Sequence, residues 1–257
     1  MANPLVSHTI CALYERIVKA AKDHQFIVND LGSYACLRRI QPQEIEWLQN
    51  SGRKKIEDLD FVSHPKKVRQ LRLFFRACGL EEDAATKGIP SPPAMRFLDC
   101  GGTPCDVFLR HHWYRPLSLR LTTPSDNEFP DLPISNLVVC KLIACRRNVE
   151  LDEASDDVLD GIAIVSCDRF NDSAISEIAQ LLASDWQLEQ TVMLGIRRVQ
   201  AVSRGLLGRV PERARLKLDS LLDIRNSVPV SRIWRLHAAI SKVVPRWHHE
   251  QVPDPIV

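Results

Sequence analysis

Asp58 and Asp60 are separated by one apolar residue, Leu59, and a third aspartate, Asp106, follows in Cys105-Asp106-Val107-Phe108-Leu109. Residues two apart in a strand project from the same face, so Asp58 and Asp60 would share one site. Asp106 lies in a second strand-like run that could be brought alongside them. Carboxylates gathered in this way repel one another unless a cation neutralises them. A Mg2+ clamp on phosphate groups is the simplest chemistry that needs such a set. The bland alternative is that Asp58 and Asp60 serve as turn or cap residues at a strand end, with Asp106 an unrelated surface charge.

Upstream, Phe26-Ile27-Val28-Asn29-Asp30-Leu31-Gly32-Ser33-Tyr34-Ala35-Cys36-Leu37 reads as a short apolar strand, a tight Gly32-Ser33 turn and a helix. Glycine lets a backbone approach a ligand closely, and a helix start offers amide hydrogens to phosphate oxygens. Strand, Gly-Ser turn, helix, Asp-x-Asp strand and a later Asp-bearing strand form one linked constellation.

That constellation resembles the nucleotidyltransferase superfamily, and more closely the bacterial nucleotidyltransferase-like proteins related to toxin and antitoxin transferases. The superfamily's Gly-Ser turn maps to Gly32 and Ser33, its Asp-apolar-Asp strand to Asp58 and Asp60, and its third carboxylate to Asp106. Met95-Arg96-Phe97-Leu98-Asp99 matches the strand before that carboxylate, and Pro133 to Leu142 resembles an apolar helix with a Thr-Lys-Leu element. Ala183-Ser184-Asp185-Trp186 with Gln190-Thr191-Val192, and the ending Val244 to Glu250, are similar to later family stretches.

The resemblance implies an α/β (α+β) fold: a small mixed sheet flanked by helices, followed by an all-helical C-terminal region. It implies Mg2+ as cofactor, a nucleoside triphosphate such as ATP as substrate, and transfer of a nucleoside monophosphate to a hydroxyl acceptor on a protein, a tRNA or a small molecule. Asp58, Asp60 and Asp106 would be the catalytic and metal-binding residues, and Gly32, Ser33 and Lys141 would bind the nucleotide. A cognate partner in a toxin–antitoxin pair would fit the same relationship. Two departures stand out. The stretch between Ser33 and Asp58 is longer than usual and carries Arg38-Arg39 and a helical insertion through Pro42 to Leu48. Where the family has Lys-Asp-x-x-Asp, this chain has Asp156-Asp157-Val158-Leu159-Asp160, so acid replaces the lysine. These departures keep a second reading open, a catalytically dormant binding or regulatory module. A metal-dependent phosphohydrolase using the same carboxylates ranks third.

The elements that must position these residues follow from periodicity. Ile10, Leu13, Tyr14, Ile17 and Ala21 recur at helical spacing. Pro65 suits the first turn of a helix whose apolar face is Val68, Leu71, Phe74 and Phe75, with Gly79 ending it. Glu81 to Pro93 reads as a loop, 96–98 and 106–109 as strands in a hairpin across Gly101-Gly102, and 117–121 as an edge strand. The Pro- and Asn-bearing stretch 122–133 predicts a boundary between an α/β domain, 1–130, and a helical domain, 131–257. Beyond it, stripes of Leu188, Val192, Ile196, Val199 and Val202, of Leu218, Leu221 and Leu222, and of Ile233, Leu236, Ile240 and Val243 predict helices. Lys141 interrupts the apolar helix 137–144. There it is either a surface lysine or, as the resemblance implies, a point charge on the triphosphate.

Composition narrows the class. The chain has 257 residues, 45% of them apolar, enough for a substantial core. Its 34 Lys and Arg against 32 Asp and Glu leave a net charge of +2, which argues against a general nucleic-acid coat. The basic clusters Arg53-Lys54-Lys55, Lys66-Lys67-Val68-Arg69 and Arg197-Arg198 read first as solvated faces; the first of them could instead steer triphosphate or RNA. No apolar run reaches membrane-spanning length and no signal pattern opens the chain, so a cytoplasmic protein is expected. The eight cysteines include no Cys-x-x-Cys pair and read as reduced, mostly buried thiols; the pairs His111-His112 and His248-His249 read as surface or packing residues.

Overall fold

The predicted opening stripe becomes α1 (His8–Asp23), started by Ser7, whose hydroxyl accepts a hydrogen bond from the Ile10 amide. In the computed structural model, residues 3–64, 68–89, 93–109, 131–145, 155–184, 186–205 and 211–227 are described. β1 (Val28–Leu31) runs directly into α2 (Gly32–Leu37), with no loop between them. The predicted insertion is α3 (Pro42–Asn50), which begins on a proline and is capped where the Gln41 amide donates to Glu44. β2 (Leu59–Ser63) and α4 (Val68–Ala77) follow.

Glu81 and Glu82, expected within a loop, instead form a two-residue strand, β3, paired antiparallel with β4 (Ala94–Leu98). Two glutamates suit such a place, because a short charged edge resists pairing with other chains. The predicted hairpin joins β4 to β5 (Pro104–Phe108), and Asp99 braces its turn by accepting hydrogen bonds from the Gly101 and Thr103 amides. The five strands form one mixed sheet in the order β1-β2-β5-β4-β3, with β2 and β5 parallel.

Beyond residue 130 the described residues form only helices: α5 (Ile134–Cys145), α6 (Asp156–Ser166), α7 (Asp172–Ser184), α8 (Trp186–Gly205) and α9 (Glu212–Ser227). The fold is therefore the expected small mixed sheet with flanking helices and a helical C-terminal region. The edge strand at 117–121, most of the boundary stretch, Pro65, the last helix and both histidine pairs lie outside the described residues. Among the described residues, no helix is long and apolar enough to cross a membrane. All eight cysteines are free, and six are buried.

Alternation sorts the sheet into two faces. Leu59, Phe61, Met95, Phe97, Cys105 and Val107 point into a core with α1 and α4. The even-numbered residues of β2 and β5 take the opposite face. There Leu31 and Val62 share a second core with Ala35, Leu137 and Ile162, drawn from both halves of the chain. The candidate aspartates lie on that second face, under the helical region.

Candidate functional site

The site is built around Gly32. Its φ is 70°, a left-handed conformation that glycine adopts without strain. Space demands glycine as well, since a Cβ here would sit 1.9 Å from Asp60 Oδ2. The turn from β1 into α2 is thus pressed directly against the Asp60 carboxylate.

Asp60 is the register partner of Leu31 on one side and of Asp106 on the other, so the parallel β2–β5 pairing delivers the third carboxylate as expected. Asp58 stands just before β2, two residues from Asp60. Burial, then the charges of Asp58 and Asp106, push the Asp60 carboxyl up to about 8. Burial and the neighbouring Asp106 push Asp58 upward too. Asp106 is held differently. Arg96, directly opposite on β4, grips it with both arms of its guanidinium: Nε donates to Oδ1 at 2.8 Å and a terminal nitrogen to Oδ2 at 2.7 Å.

Lys141 reaches this turn from the middle of α5, a helix buried nearly all round. Its side chain is 5% exposed, so its charge must be met by protein. It is met three ways: Nζ donates to Ser33 Oγ at 3.1 Å and to Asp157 Oδ1 at 2.8 Å, and lies 3.1 Å from Asp160 Oδ2. Burial opposes the charged lysine, but Asp160 and Asp157 outweigh it and hold the ammonium well above its ordinary range. Asp160 is fully buried; burial raises its carboxyl, and Lys141 and Arg53 together bring it below the usual carboxylate range. Asp157 and Asp160 stand three apart on α6, close enough to meet one lysine.

Arg53 overturns an expectation. Placed at sequence level on a solvated or steering basic face, it is buried and makes two hydrogen bonds to Asp160, at 2.9 Å and 3.1 Å. It also lies 3.3 Å from Asp156, the acid that stands in for the family's lysine. Arg38 and Arg39, assigned to the site mouth, are likewise engaged, both pairing with buried Asp30 and with Asp131. Neither Arg53 nor Arg96 had a sequence signal as a site residue. Each partner of Asp60 and Lys141 comes from a different element, so only the fold reveals the set.

All six predicted site residues therefore converge: Asp58, Asp60 and Asp106 on one sheet face, Gly32 against Asp60, and Ser33 bonded to Lys141. The three carboxylates supply the hard oxygen donors that Mg2+ takes, and their crowding favours a cation. Their present arrangement is not a closed cage: among the described residues, no three His, Cys, Asp or Glu side chains are grouped to hold a metal ion. Arg96 on both oxygens of Asp106 is the physical reason at hand. No protein-family profile and no curated protein sequence matches the chain.

Proposed function

We propose that the chain is a Mg2+-dependent nucleotidyltransferase, moving a nucleoside monophosphate from a nucleoside triphosphate to a hydroxyl acceptor. The observation that carries this reading is the convergence of Asp58, Asp60 and Asp106 beside the Gly32-Ser33 turn. Structural aspartates are seldom packed so that each raises another's pKa, whereas reactive sites often are.

Asp58, Asp60 and Asp106 would hold the cation, which when bound would offset charge on the phosphate oxygens. Gly32 leaves room for phosphate beside Asp60, and Ser33 offers a hydroxyl fixed in place by Lys141. The acceptor oxygen attacks the α-phosphorus, the bond to the α–β bridging oxygen breaks, and pyrophosphate leaves. The acceptor's proton passes to a carboxylate of the cluster. Lys141 then acts through Ser33, as a positioning residue, because its own charge is already met by Asp157 and Asp160. An acceptor on a protein, a tRNA or a small molecule, and a toxin–antitoxin partner, are compatible with this chemistry.

A second reading has a specific observation behind it. Both Asp106 and Lys141 are already neutralised by protein, which suits a dormant fold used to bind a partner. Calorimetric titration with each nucleoside triphosphate, with and without Mg2+, separates the two. The transferase reading expects Mg2+-dependent binding that Asp60→Ala abolishes, followed by pyrophosphate release once an acceptor is supplied. Binding that ignores both Mg2+ and Asp60 would end it.

A further inference from the structure

We propose that Arg96 is a resident counter-ion of the carboxylate cluster, which a divalent cation must displace from Asp106 before all three aspartates can act together. The inference rests on the transferase reading for the identity of the cluster, and adds the residue that controls its completion.

The geometry is that of two ions competing for one carboxylate. Arg96 and Asp106 are register partners on adjacent antiparallel strands, so the pair is set by the sheet rather than by a mobile loop. The bond is bidentate and occupies both carboxylate oxygens. An incoming cation therefore finds no free oxygen in that plane while Arg96 stays. Asp58 and Asp60 have no comparable arginine among the hydrogen bonds of the described residues, so Asp106 alone is closed in this way. Displacement is nevertheless inexpensive, because the Arg96 side chain is 45% exposed and regains water when it leaves, while that of Asp106 is 17% exposed. The two backbones need not move: a rotamer change of one exposed arginine opens the third ligand.

Two rival uses of Arg96 are weaker. As a purely structural brace it would add little, since β4 and β5 are already joined along their length by the strand ladder. As a general phosphate attractant it would need a free fork, and its fork is spent on Asp106.

The test uses Mn2+ alone as probe, with no nucleotide, read by titration calorimetry and by the loss of the free-ion paramagnetic signal. Wild type, Arg96→Gln and Arg96→Lys are compared as full chains, each checked for an unchanged far-UV spectrum and cooperative melt. Freeing Asp106 from a half-exposed pair should tighten Mn2+ binding about two- to five-fold in Arg96→Gln. Arg96→Lys should show part of the gain, because lysine keeps the charge but lacks the fork. Equal affinities in all three proteins would overturn the proposal. So would a gain in Arg96→Gln with none in Arg96→Lys, which would mean a diffuse charge effect rather than competition for two oxygens. Absence of Mn2+ binding in every variant would instead sink the metal-site reading itself, and this proposal with it. Binding by wild type that Asp60→Asn removes keeps that reading intact whichever way Arg96 behaves.

Discussion

At the scale of single residues, Gly32 and Asp60 make the sharpest demands. Gly32→Ala would place a methyl group 1.9 Å from Asp60 Oδ2 and force a left-handed backbone on alanine. The carboxylate or the turn must shift, so Mn2+ affinity should fall at least about ten-fold, the order expected when a supporting group of a metal site is lost. A variant with wild-type affinity would mean that Asp60 is not a ligand. Asp60 also ties stability to pH. Its carboxyl is raised to about 8 in the folded chain, against roughly 4 when unfolded. The folded state thus holds a proton that the unfolded state releases, and between these values a rise in pH costs the metal-free protein stability. Urea melts at pH 5 and pH 8 should show this loss in wild type, less of it in Asp60→Asn, and less again in wild type with Mg2+. An identical pH slope in wild type and Asp60→Asn would refute the coupling. The aspartates and Gly32 were legible in sequence because strand alternation and the Gly-Ser turn are local signals. Arg53 and Arg96 were not. The partner of Arg53 lies 107 residues away, and that of Arg96 sits across a hairpin whose register no periodicity fixes.

At the scale of elements, α5 is the part that brings the helical region's chemistry to the sheet. Its sequence is apolar except for Ser135, Asn136 and Lys141, so no amphipathic stripe states which way it faces, and sequence left Lys141 undecided between surface and site. Packing decides it. α8 crosses α5 at Gly195, where a Cβ would lie 1.9 Å from the Leu142 carbonyl oxygen, one residue from Lys141. Gly195→Ala must therefore push the helices apart. Overpacking of this kind costs about 1–3 kcal/mol, so a lowered melting temperature is expected. Because the displaced segment carries Lys141, Mg2+-dependent nucleotide affinity should fall as well, although residue 195 is itself no part of the site. Unchanged stability would show that the α5–α8 crossing is looser than these distances state. The short strand β3 is the converse case: two glutamates have low strand propensity, and only the edge offered by β4 recruits them.

At the scale of the whole molecule, the division at residue 130 separates two kinds of secondary structure but not two cores. Leu31, Ala35, Leu37, Leu48 and Val62 from the first half pack with Leu137, Leu142, Ile162 and Val192 from the second. Ser33 and Arg53 meet Lys141 and Asp160 across the same boundary. Sequence could not reveal this joining, because each stripe announces that it is buried without naming what buries it. A shared core implies shared stability: removing either half exposes the apolar face of the other and strands buried charges without partners. Residues 1–130 produced alone should therefore bind a hydrophobic dye and melt without a sharp transition, whereas the full chain should unfold in one cooperative step. Asp160→Ala tests the same coupling within the intact chain. It leaves the buried Lys141 and Arg53 each short of a carboxylate, a loss of about 3–5 kcal/mol for a broken buried pair. Hydrogen exchange should then quicken together in β1, β2, α5 and α6. If exchange quickened in the helices alone, while the sheet kept its protection, the halves would be independent domains and the candidate site would lie at a joint between them.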